Sequence, residues 1–363
     1  MMTTEIENVL QSNDPSRRTL LRQLVAAGAG LGGLAHFSDV LAQASASAVK
    51  ELTFHLQAGL QQTCVEVASP IFSKVAGAKV NYDIGANGIT YPKMLLQRGN
   101  PSVNGGMFNS TYAARGRADK MWAKFNPAFI PRVSTVPTEL QYKDGLTIPI
   151  HYTPFGIMYN PEKVEKPKSW TDLFNPKYVG KVSMWSAYFD AYIMAAVATG
   201  KGPDVEAGIK AWEPHKKNIG AWVTSQILEQ DLVSRGEAWL APHWGGWAEQ
   251  ARVAGKKVAF TVPEEGAVLW TGHMATVNGF SPEATELAQR YLDIWLSPQC
   301  QASWAEISFL SPSVTGVELP TKLRESTAVM STAQLSKLVR PDFDAIGPKM
   351  VDYKAMIDRT LRV

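Results

Sequence analysis

The chain has 363 residues, 45% hydrophobic and 19% charged, with a formal net charge of +3. That balance excludes a disordered chain. With no basic run able to track a phosphate backbone, it also speaks against a nucleic-acid partner. The length suffices for two lobes, and Cys64 and Cys300 allow at most one disulfide.

The first fifty residues read as an export signal. "SRRTLLRQLVAAGAGLGGLA" places adjacent Arg17 and Arg18 ahead of an uncharged run, residues 24–35, that holds four glycines. "VLAQASASA" then sets small residues at alternate positions, the pattern of signal-peptidase cleavage, expected between Ala44 and Ala48. The apolar run is too short to span a hydrocarbon core of about 30 Å as a helix. S-R-R-x-L-L resembles a twin-arginine leader. Residues 1–45 are therefore expected to be a removed signal peptide, and the rest a soluble periplasmic protein.

Residues 51–57, "ELTFHLQ", alternate as a strand. "VEVASPIFSKVAG" reads as a helix interrupted at Pro70. "AKVNYDIG" reads as a strand with Val80, Tyr82 and Ile84 on one face. A helix is predicted from Tyr91 to Arg98, stopped by Gly99, and "VNGGMFNST" reads as a strand entering a tight loop. This β-α-β-α order argues for a mostly parallel sheet covered by helices.

Near residue 146 the pattern shifts. "LTIPIHYTPFGIMYNPEKV" holds two strand-like runs broken by Pro149 and Pro154, which predicts an edge or a connection between two bodies. Ser169 is a candidate N-cap before Trp170. "YVGKVSMW" then reads as a strand and "DAYIMAAVATG" as a helix ended by Gly200, so a second α/β body is expected over about 156–262. "KKVAFTVPEEGAVLWTGHMATVNG" reads as strand–turn–strand. "SPEATELAQRYLDIWLSPQ" gives the clearest helix, with Ser281 as cap, Pro282 in the first position and Pro298 after the end.

"GIMYNPEKVEKPKSWTDLFNPKYVGKV", residues 156–182, closely resembles a passage of the extracellular solute-binding proteins of ABC importers. "LVSRGEAWLAPHWGGWAEQARVAGKKVAFTVPEEGAVLW" and the later "SFLSPSV" are similar to further passages of the same family, nearest in style to its polyamine, iron and phosphonate binders. The resemblance implies an α/β fold of two lobes, each a mostly parallel sheet covered by helices, joined by two crossing strands. Lobe 1 is expected over 46–153 and 268–363, and lobe 2 over 154–267. It further implies a small-molecule ligand closed between the lobes, an ABC permease of the inner membrane as partner, and a protein that works as a monomer without a cofactor.

Ligands of open α/β sheets lie beyond the carboxyl ends of the strands. The candidate loops there carry Gln57, Ser110, Thr111, Tyr112, Trp185, Ser186, Tyr188, Phe189, Asp190, Trp244, Trp247, Glu265 and Trp270. Ring faces attract an organic cation by about 0.5–2 kcal/mol each, and Asp190 or Glu265 would complete an amine site. Trp239 is expected in the core. Trp244 and Trp247, after Pro242 and beside glycines, are expected on a loop that hugs the ligand.

The alternative is a small anion, a phosphonate or carboxylate, held by helix N-termini and by the hydroxyls of Ser110, Thr111 and Ser186. Arg115 and Arg117 lie close in sequence, although a solvated helix face is their ordinary role. Iron binders of the family use adjacent tyrosines. This chain has no Tyr-Tyr pair, and His55, His151, His215, His243 and His273 lack metal-site spacing, so no metal is expected. Without a G-x-S-x-G, H-E-x-x-H or P-loop, a binder rather than an enzyme is expected.

Overall fold

The computed structural model describes residues 49–57, 64–142, 144–185 and 188–362. The expected leader, the loop at 58–63 and Ser186 lie outside the described residues.

The chain opens with β1 (Glu51–Gln57), α1 (Ser69–Ala76), β2 (Lys79–Gly85), α2 (Asn87–Leu96), β3 (Gly105–Asn109) and α3 (Ser110–Ala118). Pro70 sits in the first turn of α1, where its missing N–H costs nothing, so it starts the helix rather than interrupting it. Gly77 ends α1 at φ 60°, a left-handed conformation that favours glycine. The long strand β4 (Ile148–Tyr159) follows.

The second body contains β5 (Val182–Trp185), α4 (Asp190–Ala198), α5 (Val205–Trp212), β6 (Ile219–Val223), α6 (Gln226–Arg235), β7 (Leu240–Trp244), α7 (Gly245–Val253) and β8 (Ala259–Thr261). The chain returns through β9 (Ala267–Thr276) to α8 (Pro282–Trp295), α9 (Pro298–Ser308), β10 (Ser311–Pro312), β11 (Leu338–Val339) and α10 (Met350–Leu361). Ser281 caps α8 by accepting from Ala284 N–H, and the buried face of α8 brings Tyr291 edge-on against Phe54 and Phe72.

One sheet carries both bodies, in the order β2-β1-β3-β9-β4-β7-β5-β6. Its two halves follow one plan. In the first, β1 lies parallel between β2 and β3, and β9 pairs antiparallel with β3. In the second, β5 lies parallel between β6 and β7, and β4 pairs antiparallel with β7. The two antiparallel strands pair with each other, so β4 and β9 join the halves. Phe155 marks the exchange: it is opposite Val268 on one side and Trp244 on the other.

β4 is thus a connection, as its prolines suggested, but it is also a central strand flanked on both sides. The register shifts between Pro149 and His151, which accommodates the first missing N–H. Pro154 falls where β10 has ended and β7 has not begun.

Beyond β11, the one-turn helix Phe343–Ile346 packs on α3 of the first body, whereas α10 packs on α5 of the second. The expected lobe 1 segment therefore ends in a helix resting on the other lobe. Cys300 is buried and free among the described residues.

Candidate functional site

The two halves meet where their strands end. In the second half, Trp185 closes β5 and Trp244 closes β7; Trp247 lies in the first turn of α7. Trp270 enters from β9. Trp244 is central: its ring centroid lies 5.2 Å from Trp185, 4.8 Å from Tyr188, 5.9 Å from Trp247 and 6.2 Å from Trp270, each contact edge-to-face. Trp247 and Trp270 meet at 5.2 Å, and Phe155 backs Trp244 at 5.0 Å. Edge-to-face rings place positive edges on negative faces, so the group is mutually stabilising as well as apolar.

This corrects the expected loop. β7 continues through Pro242 to Trp244, and a helix begins at once. Leu240 N–H points to Lys181 of the β5 side, so Pro242, two residues on, lacks its N–H on that side, beyond the single β5–β7 pair. The expected ranking of the tryptophans also reverses. Trp244 is 1% exposed and Trp247 9%. Trp239 is only half-buried, packed against Tyr178 with the Lys181 ammonium over its ring.

Asp190, the first residue of α4, is buried, and its Oδ1 has no hydrogen-bond partner among the described residues. Burial pushes its carboxyl up to about 7. It lies near Tyr188, whose hydroxyl faces Asn109 and Tyr112 of the first half and is pushed up to about 12, chiefly by burial. Tyr188 therefore spans the gap between halves.

The first half presents amides there. The Gln57 side chain donates to Asn87 Oδ1, which also accepts Asn109 N–H at 3.1 Å. Asn109 Oδ1 caps α3 by accepting from Tyr112 N–H at 3.1 Å. Ser110 Oγ donates to Thr271 O of β9, and the Tyr112 ring tilts against Tyr91 at 5.5 Å. Thr111 is half-buried beside them.

Two predicted residues sit elsewhere. Phe189 turns its ring to Tyr353 of α10, at 5.6 Å. The Glu265 carboxylate accepts from Ser169 Oγ and from Trp170 N–H, closing a helical turn. It borders a separate cavity of about 470 Å³ between residues 261–266 and the 326–337 segment. Arg115 is paired with Asp119; Arg117 reaches Asp144 and Asp344 and lies 3.8 Å above the Tyr142 ring. Both arginines are held within the first lobe.

Asn87, Asn109 and Glu229 escaped the sequence reading. Asn87 follows the end of β2 and Asn109 ends β3, and that position was the available signal. Glu229 lies on α6, on no strand end, and nothing local marks it. Its carboxylate is buried and accepts from Trp185 Nε1 at 2.7 Å, from His243 Nδ1 at 2.7 Å and from Ser183 Oγ at 3.0 Å.

Two α/β halves of one strand order, joined by two shared strands, define the two-lobed class of binding proteins. The description "bacterial extracellular solute-binding protein" matches by sequence over residues 103–337, and the chain belongs to that family. No curated protein matches it by sequence. Among solved structures, an ABC transporter protein from Clostridium perfringens superposes with a TM-score of 0.72 at 19% identity, covering 85% of this chain and 99% of that one. The spermidine/putrescine substrate-binding protein PotD of Streptococcus pneumoniae gives 0.72 at 17%, covering 86% and 99%. The periplasmic binding protein AfuA of Actinobacillus pleuropneumoniae, solved with fructose-6-phosphate, gives 0.71 at 17%, covering 87% and 100%. At these identities the likeness is one of fold.

Proposed function

We propose that this protein is the periplasmic binding component of an ABC importer and that its ligand is a small organic amine. PotD and AfuA are described with a cationic and an anionic ligand class, respectively, so the shared fold leaves charge undecided. The side chains at the strand ends carry the reading. The single observation behind it is Asp190: a buried carboxylate with an oxygen unpartnered among the described residues, close to Tyr188 of the Trp185–Tyr188–Trp244–Trp247–Trp270 group. An ammonium would supply the charge that Asp190 lacks, and the ring faces would bind its alkyl body and its charge together. The anion reading is weaker, because Arg115 and Arg117 are engaged by Asp119, Asp144 and Asp344.

Binding between the lobes would favour the closed arrangement, since only there are both sets of contacts made. The closed form would then be presented to the inner-membrane permease. Lobe 1 is taken as residues 46–153 and 268–363, and lobe 2 as 154–267, with residues 1–45 removed as a leader. The test is a thermal-shift and calorimetric screen of the exported protein against diamines, monoamines, phosphonates, carboxylates and ferric ion. An amine that raises the melting temperature, with the shift lost in Asp190→Asn, is the expected result. A shift given by phosphonate or carboxylate and by no amine overturns the reading.

A further inference from the structure

The ring group rests on a second carboxylate, Glu229. Its immediate partners are Trp185, His243 and Ser183, all three buried. Gln230 Nε2 donates to Trp247 O at 3.2 Å and faces His243 Nε2 at 3.4 Å, while Gln230 Oε1 accepts from Lys256 Nζ at 3.4 Å. The Glu229 carboxylate thus sits directly behind the ring group, held by the Trp185 indole, the Ser183 hydroxyl and the His243 ring.

We propose that Glu229 is a positioning and specificity-determining residue of the ligand site: through the Trp185 N–H it fixes the indole plane and enriches the ring face that selects a cation. The inference rests on the amine reading above. An indole that donates its N–H to a carboxylate gains electron density, and the attraction of a cation to the opposite part of the ring system grows accordingly. Glu229 also holds the ring plane, since Nε1 can meet the carboxylate in one orientation only. The same network reaches the start of α7, because Gln230 joins His243 to the Trp247 carbonyl. Two carboxylates would then set the charge preference of the cleft, Asp190 beside the rings and Glu229 behind them.

The test compares Glu229→Gln, Trp185→Phe and the double variant with the parent protein, using 1,4-diaminobutane and the neutral isostere 1,4-butanediol as probes in calorimetry and competition. Glu229→Gln keeps shape and removes charge. Trp185→Phe keeps a ring and removes the donor. Each single change is expected to weaken the diamine by about tenfold relative to the diol, and the double change no more than the larger single one. The indole N–H resonance assigned to Trp185 should move upfield in Glu229→Gln. Equal losses for diamine and diol mean a merely structural role and overturn the proposal, as does an unchanged diamine affinity in both variants. If Glu229→Gln does not fold, Glu229→Asp decides in its place: a shifted Trp185 indole N–H resonance with a larger loss for the diamine than for the diol supports the proposal, and an unmoved resonance or equal losses overturn it. A parent protein that binds no amine removes the amine reading itself, and is told apart from the other failures by the parent's own titration.

Discussion

The two halves of the sheet share a strand order and differ in what ends their strands. β3 ends at Asn109, and its side chain caps the next helix by accepting from Tyr112 N–H. β7 ends at Trp244, which cannot cap, and the crossing strand supplies the acceptor instead: Gly246 N–H donates to Thr153 Oγ1 at 3.0 Å. The helix start is satisfied in both halves, by a local residue in one and a distant one in the other. Freed from capping, position 244 holds an indole at the centre of the ring group. One half thus ends its strand in an amide and the other in an indole, although their backbones follow one topology.

The largest effect should come from the ring side. Trp244→Ala removes a fully buried indole that touches six other rings and should cost about 3–5 kcal/mol in unfolding free energy, read by denaturant titration. A loss below about 1 kcal/mol would show that the rings are not a packed unit.

Asp190 should give a pH signature. Its ordinary value is 3.8 and its folded value about 7, so between them the folded state holds a proton the unfolded state has released. Stability from this group is present below the unfolded value and lost as pH rises through the folded one, by up to about 4 kcal/mol at one pKa step per 1.36 kcal/mol. Asp190→Asn should therefore gain on the parent between pH 4 and about 7 in melting temperature. His151 and His273, pushed down by burial to about 3, act with the opposite sign and lose stability as pH falls below 6.5, but they cancel in this comparison. Amine affinity should weaken as pH falls below about 7, because the ligand needs the carboxylate.

The cap comparison can be tested directly. Asn109→Ala and Thr153→Val each strand one helix N–H and should each cost about 1 kcal/mol, despite their different positions in the chain. Unequal costs would mean that only one of the two caps matters. Smallest of all, Tyr188→Phe removes the hydroxyl facing Asn109 and should change stability by no more than about 1 kcal/mol, with a measurable effect on ligand affinity only if the lobes close on that contact.

Much of the architecture was legible because it rests on local chemistry. Ser281 and Pro282 start α8, Gly200 follows α4 at φ 74°, and "YVGKVSMW" becomes β5. Errors arose where a residue's local preference was overruled by its neighbours in space. Pro149, Pro154 and Pro242 read as strand breakers, yet each sits at a register shift or beyond a pairing, where the lost N–H was not needed. In the candidate site, the rings at strand ends were legible from order along the chain. Glu265 and Phe189 were not separable from them, because the direction of a side chain depends on Ser169 and on Tyr353, far away in sequence.

By itself, the amino-acid sequence determined the α/β class, the two bodies, the family and the enrichment of rings where strands end, since these follow from periodicity, caps and short motifs. Only the tertiary structure decided that Trp244 is central and buried, that Trp239 is not, and that Asp190 Oδ1 has no partner among the described residues while the Glu229 carboxylate has three. Those facts depend on β4, β5, β7 and β9 bringing together residues tens of positions apart, and no local pattern encodes which side chains such strands will leave facing one another.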